Sequence, residues 1–219
     1  MAILPTLMNE VLSEYAEQHF SSENEQLSQL LLEAERAGIP SISIGGVQGA
    51  FLQMLIRLID AKTVVEIGSL AGYSAITMAL AMNSGGIVHC YEKESAFCEF
   101  IQKQAEKIHV QDRIIIHQGD ALMSLQYDVP QNIDMIFIDA DKPSYVKYAE
   151  ILLPSLRSGG MLIGDNSLAW GYVADEDPDF EPENVKGIQA YNLFVKNHES
   201  FFPPCIVPLG DGMCIAVKR

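Results

Sequence analysis

Five carboxylates each close a short apolar run: Glu66 in TVVEIG, Glu92 in GIVHCYE, Asp120 in RIIIHQGD, Asp139 in IDMIFIDAD and Asp165 in GMLIGDN. The runs are β-branched and nearly continuous, as strands buried on both faces of a parallel sheet are. Parallel strands share one carboxyl edge, and ligands of open α/β sheets bind in the crevice outside it, where the strand order reverses. Five acids brought to one crevice repel each other and raise one another's pKa unless cations or hydrogen-bond donors answer them. The pattern therefore predicts a site that binds something positive.

The chemistry divides into two halves. In EIGSLAGYSA, Gly68 and Gly72 permit a tight turn and close backbone approach, and Tyr73 and Ser74 open the next helix. The spacing is G-x-x-x-G, not the G-x-G-x-x-G of dinucleotide binders. Glu92, 24 residues beyond Gly68, stands where an acid accepts both hydroxyls of a ribose, which points to an adenosine-containing cofactor. Asp120 is placed either to accept from an adenine amino group or to cap the following helix. In the second half, Asp139, Asp165 and Asn166 offer three hard oxygen ligands on adjacent strand ends, a set that suits octahedral Mg²⁺ or a similar divalent ion. Lys142 lies three residues after Asp139, and Asp141 is expected either to steady Lys142 or to cap the turn at Pro143.

The elements that must position these groups follow from periodicity. Residues 6 to 37 carry two helical patterns parted at Ser21 and Ser22, with Ser22 and Glu25 as a capping box and Gly38 and Pro40 as the stop. A third helix is predicted over 46 to 60. The five strand runs then alternate with segments long enough for crossover helices, which makes a doubly wound α/β fold with helices on both faces of a mostly parallel sheet. A helix near 184 to 198 precedes CIVPLGDGMCIAVKR, two strands turning at Gly210, Asp211 and Gly212 as an antiparallel hairpin on the sheet edge. Seven strands result.

With 219 residues, 48% apolar and 20% charged, the chain reads as one globular domain and not as a disordered one. Its net charge of −15 repels phosphate backbones and anionic membranes, so neither nucleic acid nor a membrane is an expected partner. No apolar run is long enough to span a bilayer, and acids occupy the amino-terminal stretch where an export signal carries bases, so a cytoplasmic location is expected. The four cysteines form no CxxC pair and the five histidines have no zinc-ligand spacing. Cys90, inside an apolar run, is expected to be a buried, reduced thiol. Asp175, Glu176, Asp177, Asp179, Glu181 and Glu183 crowd nine residues without a Lys or Arg, as a solvated loop or an active-site lid.

VVEIGSLAGYSAITMA, YEKE, QGDAL, DMIFIDADKPSYVKYAEILLPSLRSGGMLIGDN and PLGDGMCIAVKR together resemble the cation-dependent, S-adenosylmethionine-dependent O-methyltransferases that include the catechol and caffeoyl-CoA enzymes. The similarity runs from about residue 39 to the end. It implies a Rossmann-like class I methyltransferase domain over 1–219, with 1–45 as a helical extension and 46–219 as the catalytic core. It further implies that Glu66, Gly68, Tyr73 and Ser74 surround the methionine part of the cofactor, Glu92 the ribose, and Asp120 and Ala121 the adenine. Asp139, Asp165 and Asn166 would hold the metal, with Asp139 also bordering the cofactor, and Lys142 would be the general base or an electrostatic guide. Ile42 and Ile44 match a segment that lies over the cofactor.

The chain departs from the family in one place. Where the family has Trp, Ala169 stands here and Trp170 follows, so Trp170 either walls the acceptor pocket or only packs. The implied activity is methyl transfer to a hydroxyl of a small, catechol-like acceptor, in a homodimer. A nicotinamide-dependent dehydrogenase shares the sheet and the ribose acid but would leave the metal ligands unexplained. A noncatalytic nucleoside-binding protein would have lost ligands that this chain retains.

Overall fold

The computed structural model describes residues 8–219. The first two residues of the predicted helical region, 6 and 7, lie outside them. Two helices, α1 (Glu10–Phe20) and α2 (Glu25–Arg36), precede α3 (Gly46–Leu58). There follow β1 (Thr63–Ile67), α4 (Tyr73–Ala81), β2 (Ile87–Glu92), α5 (Ser95–Ile108), β3 (Ile114–Gln118), α6 (Ala121–Ser124), β4 (Ile133–Ile138), α7 (Tyr145–Leu152) and β5 (Leu156–Gly164). The chain closes with α8 (Pro182–Asn197), β6 (Cys205–Val207) and β7 (Met213–Val217).

One seven-stranded sheet runs in the order β3-β2-β1-β4-β5-β7-β6. The first five strands are mutually parallel, and β7 pairs antiparallel with both β5 and β6. This is the expected doubly wound sheet with its carboxy-terminal hairpin. Alternate residues of each strand enter two cores. Val64, Val88 and Phe137 face α2 to α5, whereas Val65, Ile136 and Leu162 face α7 and α8. Burial on both faces is why these strands read as unbroken apolar runs. The order reverses between β1 and β4, the point at which an open α/β sheet has its ligand crevice outside the carboxyl edge.

Three local expectations are corrected. The cap of α2 is Asn24, whose side chain accepts from Leu27 N at 3.0 Å, and not Ser22; the Ser22 hydroxyl instead donates to Gly46 O at 3.1 Å. Asn24 immediately precedes the first helical residue, so its side chain and not that of Ser22 reaches the N–H groups of the first turn. The fifth strand begins at Leu156, four residues before the predicted start, because Arg157, Ser158, Gly159 and Gly160 interrupt the apolar run at a register shift against β4. The third helix ends at Leu58, two residues short of the prediction. Cys90 is buried and free, as expected. Among the described residues no helix is long and apolar enough to cross a membrane.

Candidate active site

A cavity of about 970 Å³ opens at the carboxyl edge of the sheet. Of the residues singled out from sequence, Ile42, Ile44, Gly68, Tyr73, Ser74, Glu92, Asp120, Ala121, Asp139, Lys142, Asp165, Asn166 and Trp170 all line it. Glu66 does not. It lies inside β1, fully buried next to the cavity residues Ile67 and Gly68, so four of the five strand-closing acids face the cavity and one backs it.

The ladder of the sheet carries its own continuation into the site. Asp139 N donates to Ile67 O at 2.9 Å and Asp165 N to Ile138 O at 3.0 Å, so the residues just past β4 and β5 are fixed like strand residues. After β1 the chain turns on Gly68, at φ +86°, where a Cβ would sit 2.2 Å from Asp139 O. Only glycine lets the two strand ends approach that closely.

The turn also fixes Glu92. Leu70 N donates to its Oε2 at 2.8 Å and Glu94 N to its Oε1 at 2.9 Å, leaving lone pairs on both oxygens for a further pair of donors. Asp120 caps α6, accepting from Met123 N at 3.0 Å, which realises the capping alternative while keeping the side chain on the cavity wall. Glu66 Oε2 accepts from the Ser69 hydroxyl at 2.5 Å, and its Oε1 has no partner. Burial pushes its carboxyl up to about 7 against the hydrogen bonds of Ser69 and Ser74, and the charges of Asp139 and Glu92 add to the rise.

On the other side of the crevice, Asp165 is pushed up to about 7, first by burial and then by the charge of Asp139. Gln48 Nε2 donates to Asp165 Oδ1 at 3.1 Å. Asn166 takes a left-handed backbone, φ +56°, and its amide nitrogen leans 3.5 Å toward Asp211 Oδ2, so the amide oxygen remains for another partner. Lys142 Nζ donates to Asp139 Oδ1 at 2.9 Å and to the Tyr145 hydroxyl at 2.8 Å. Asp141 neither steadies Lys142 nor caps the turn with its side chain. Tyr148, one turn into α7, reaches back and donates to it at 2.6 Å.

Asp139, Asp165 and Asn166 fit a divalent cation. Two carboxylates, of which Asp165 is raised by burial and by the charge of its neighbour, joined by an amide oxygen, form the hard donor set such an ion takes. Among the described residues no three His, Cys, Asp or Glu side chains converge on a metal position, so the set depends on the Asn166 oxygen.

Trp170 is 40% exposed on the cavity wall, while the neighbouring Ala169 is fully buried. The one-residue displacement therefore points alanine inward and leaves tryptophan at the cavity. Both Asp211 oxygens accept from Trp170 N, at 3.0 and 2.9 Å. Sequence reasoning placed Asp211 in a turn and missed it as a site residue, and it missed Gln48, Tyr145 and Tyr148 as well. The tyrosines carried a usable signal, since they fall three and six residues after Lys142 on the helix that follows it. Gln48 carried none, because its partner lies 117 residues away.

Residues 17–219 match the O-methyltransferase family. The chain is 34% identical over 190 residues to a catechol O-methyltransferase of Niastella koreensis, covering 84% of this chain and 85% of that one. It is 32% identical over 191 residues to a caffeoyl-CoA O-methyltransferase of Populus kitakamiensis, covering 84% and 81%. Among solved structures, the O-methyltransferase of Bacillus cereus in complex with SAH superposes with a TM-score of 0.87 at 29% identity, over 95% of this chain and 97% of that one. Sequence, sheet order and cavity thus agree, and the chain belongs to the O-methyltransferase family.

Proposed function

We propose that the protein transfers the methyl group of S-adenosylmethionine to a hydroxyl of a small, catechol-like acceptor, with a divalent ion such as Mg²⁺ at Asp139, Asp165 and Asn166. The observation that carries this reading is the juxtaposition, in one cavity, of a doubly anchored Glu92 at one end and the Asp139–Asp165 pair with Lys142 at the other.

When bound, S-adenosylmethionine supplies a methyl carbon on a cationic sulfur that leaves as a neutral thioether, and the ion supplies a positive charge that favours the ionised form of a phenol, whose ordinary pKa is about 10. The chain's residues do the rest. Glu92 accepts the two ribose hydroxyls with the lone pairs that its backbone donors leave free. Asp120 and Ala121 border the adenine. Glu66, Gly68, Tyr73 and Ser74 surround the methionine part, and the unpartnered Glu66 Oε1 offers an acceptor for an ammonium group. Ile42 and Ile44 cover the cofactor and exclude water.

Lys142 receives the acceptor's proton or guides its oxygen by charge, its Nζ being held in place from two sides by Asp139 and Tyr145. Chemistry of this kind is mostly positioning, because an oxygen held in line with the methyl carbon needs little further assistance. By the same reading the protein is a homodimer working in the cytoplasm.

The test is transfer of a labelled methyl group to catechol in the presence of Mg²⁺, repeated in excess chelator. The reading requires a methylated product that disappears with the chelator and returns when Mg²⁺ is restored. Tight binding of NAD in place of S-adenosylhomocysteine, with no transfer, would refute it.

A further inference from the structure

Each acid of the cation site has one oxygen taken by a side-chain donor. Gln48 Nε2 donates to Asp165 Oδ1 at 3.1 Å, and Lys142 Nζ donates to Asp139 Oδ1 at 2.9 Å. No second side-chain donor reaches either carboxylate among the described residues. Asn166, an amide, has a single side-chain oxygen to offer. The chain thus presents one unengaged oxygen from each of the three residues.

Gln48 is held in place for its contact. It sits in the first turn of α3, only 7% exposed, and lines the cavity. Its Oε1 accepts from Gly45 N at 3.3 Å while its Nε2 goes to Asp165. A turned-over amide would set Oε1 against the carboxylate and Nε2 against an N–H group, two repulsions in place of two hydrogen bonds, so the partners fix its orientation. The hairpin turn packs on the same amide. A Cβ on Gly210 would lie 2.4 Å from Gln48 Oε1 and 2.8 Å from its Nε2, so only glycine lets the turn come so close.

The number of oxygens a carboxylate gives separates one ion from another. Ca²⁺ takes about six to eight oxygens in a flexible shell and accepts both oxygens of one carboxylate, whereas Mg²⁺ demands a near-regular octahedron. A donor held on one oxygen opposes two-oxygen binding, because a cation brought to that oxygen meets the positive N–H hydrogen at close range.

We infer that Gln48 is a positioning residue that sets the ion selectivity of the site: by holding Oδ1 of Asp165 it limits that carboxylate to one coordinating oxygen, and so favours small octahedral ions, Mg²⁺ and Mn²⁺, over Ca²⁺. The inference rests on the divalent-ion reading above and adds what discriminates between ions there.

The experiment follows Mn²⁺ bound to the full chain by electron paramagnetic resonance while Ca²⁺ or Mg²⁺ is added as competitor, with no acceptor and no turnover. In wild type, half-displacement takes about a tenfold or greater excess of Ca²⁺ over Mn²⁺. Gln48→Met, similar in length but without a donor, lowers the required Ca²⁺ about tenfold, the lower end of an outer-shell contribution, and leaves the required Mg²⁺ within about twofold. Gln53→Met removes an amide of the same helix that donates to Thr77 O at 2.9 Å, and leaves both requirements as in wild type. A merely structural loss in α3 weakens all three ions together and keeps their ratios. An unchanged ratio of Ca²⁺ to Mg²⁺ in Gln48→Met, or an equal shift in Gln53→Met, overturns the inference while the divalent-ion reading stands. Displacement of Mn²⁺ from wild type by an equal concentration of Ca²⁺ overturns it too, whether or not the variants fold. Absence of any saturable Mn²⁺ site in wild type overturns that reading, and the inference with it.

Discussion

Strand β4 has an acid at each end, Asp134 buried at its start and Asp139 half-buried just past its finish, and the two ends treat it oppositely. At its start, Asp134 Oδ2 accepts from Lys62 N at 2.7 Å and Thr63 N at 2.8 Å, and Oδ1 from Arg157 Nε at 2.5 Å. Every oxygen is answered, and the residue ties β1, β4 and β5 together. Past its other end, Asp139 lies beside Asp165 on the neighbouring strand end. Asp165 has Gln48 as a donor and a like charge as a neighbour, and its carboxyl is pushed up to about 7. Residue type is the same at both places; what differs is whether the chain itself completes the hydrogen bonding. An acid satisfied by its own chain is architecture, whereas one held beside another acid is kept for something that binds.

The strongest way to break this contrast is to truncate one acid at each edge. Asp165→Ala should cut methyl transfer about a thousandfold or more. It should leave cofactor affinity and thermal stability near wild type, because what it removes is a repelling charge. Steady-state kinetics and calorimetry with S-adenosylhomocysteine check both halves of that expectation. Asp134→Ala should do the reverse. Its loss leaves two backbone N–H groups and a guanidinium unanswered and should cost about 2–4 kcal/mol in urea unfolding, with kcat near wild type at temperatures where the variant remains folded.

A smaller effect sharpens the comparison through pH. Glu66 and Asp165 both keep their protons to higher pH in the folded chain than in the unfolded one. The folded state therefore binds more protons above the ordinary carboxylate range, and stability falls as pH rises through about 7, above which both groups are ionised in either state. The melting temperature of the ligand-free protein should drop between pH 5 and 8. Glu66→Gln, which cannot ionise, should flatten part of that slope, leaving the part due to Asp165. A slope unchanged in the variant would show that Glu66 is ionised throughout.

The difference between the two edges also decides what was legible in the sequence. All five parallel strands could be read because burial on both faces leaves unbroken apolar runs, and the acids that end them could be read because strand ends share an edge. The start of β5 was hidden by a polar, glycine-containing register shift, and the cap of α2 was misplaced because two capping residue types, Ser22 and Asn24, stand within three residues of each other. Within the site, the residues at strand ends and in the turns after them were found from their own runs, Ile42 and Ile44 through the family resemblance, and two that arrive from elsewhere were not. Gln48 reaches Asp165 from α3, and Asp211 holds Trp170 from the hairpin turn. Contacts made across the fold leave no local period to read. Asp120, which by sequence either capped a helix or accepted from an adenine amino group, is the cap, and it also lines the cavity.

The account stands on Asp139, Asp165 and Asn166 completing their coordination with a doubly charged ion. Titration of the protein with Mn²⁺, followed by the loss of the free-ion electron paramagnetic resonance signal, measures this without any turnover. One saturable site is predicted in wild type, retained in Asp134→Asn and lost in Asp165→Asn. An equal Mn²⁺ affinity in wild type and Asp165→Asn would contradict it.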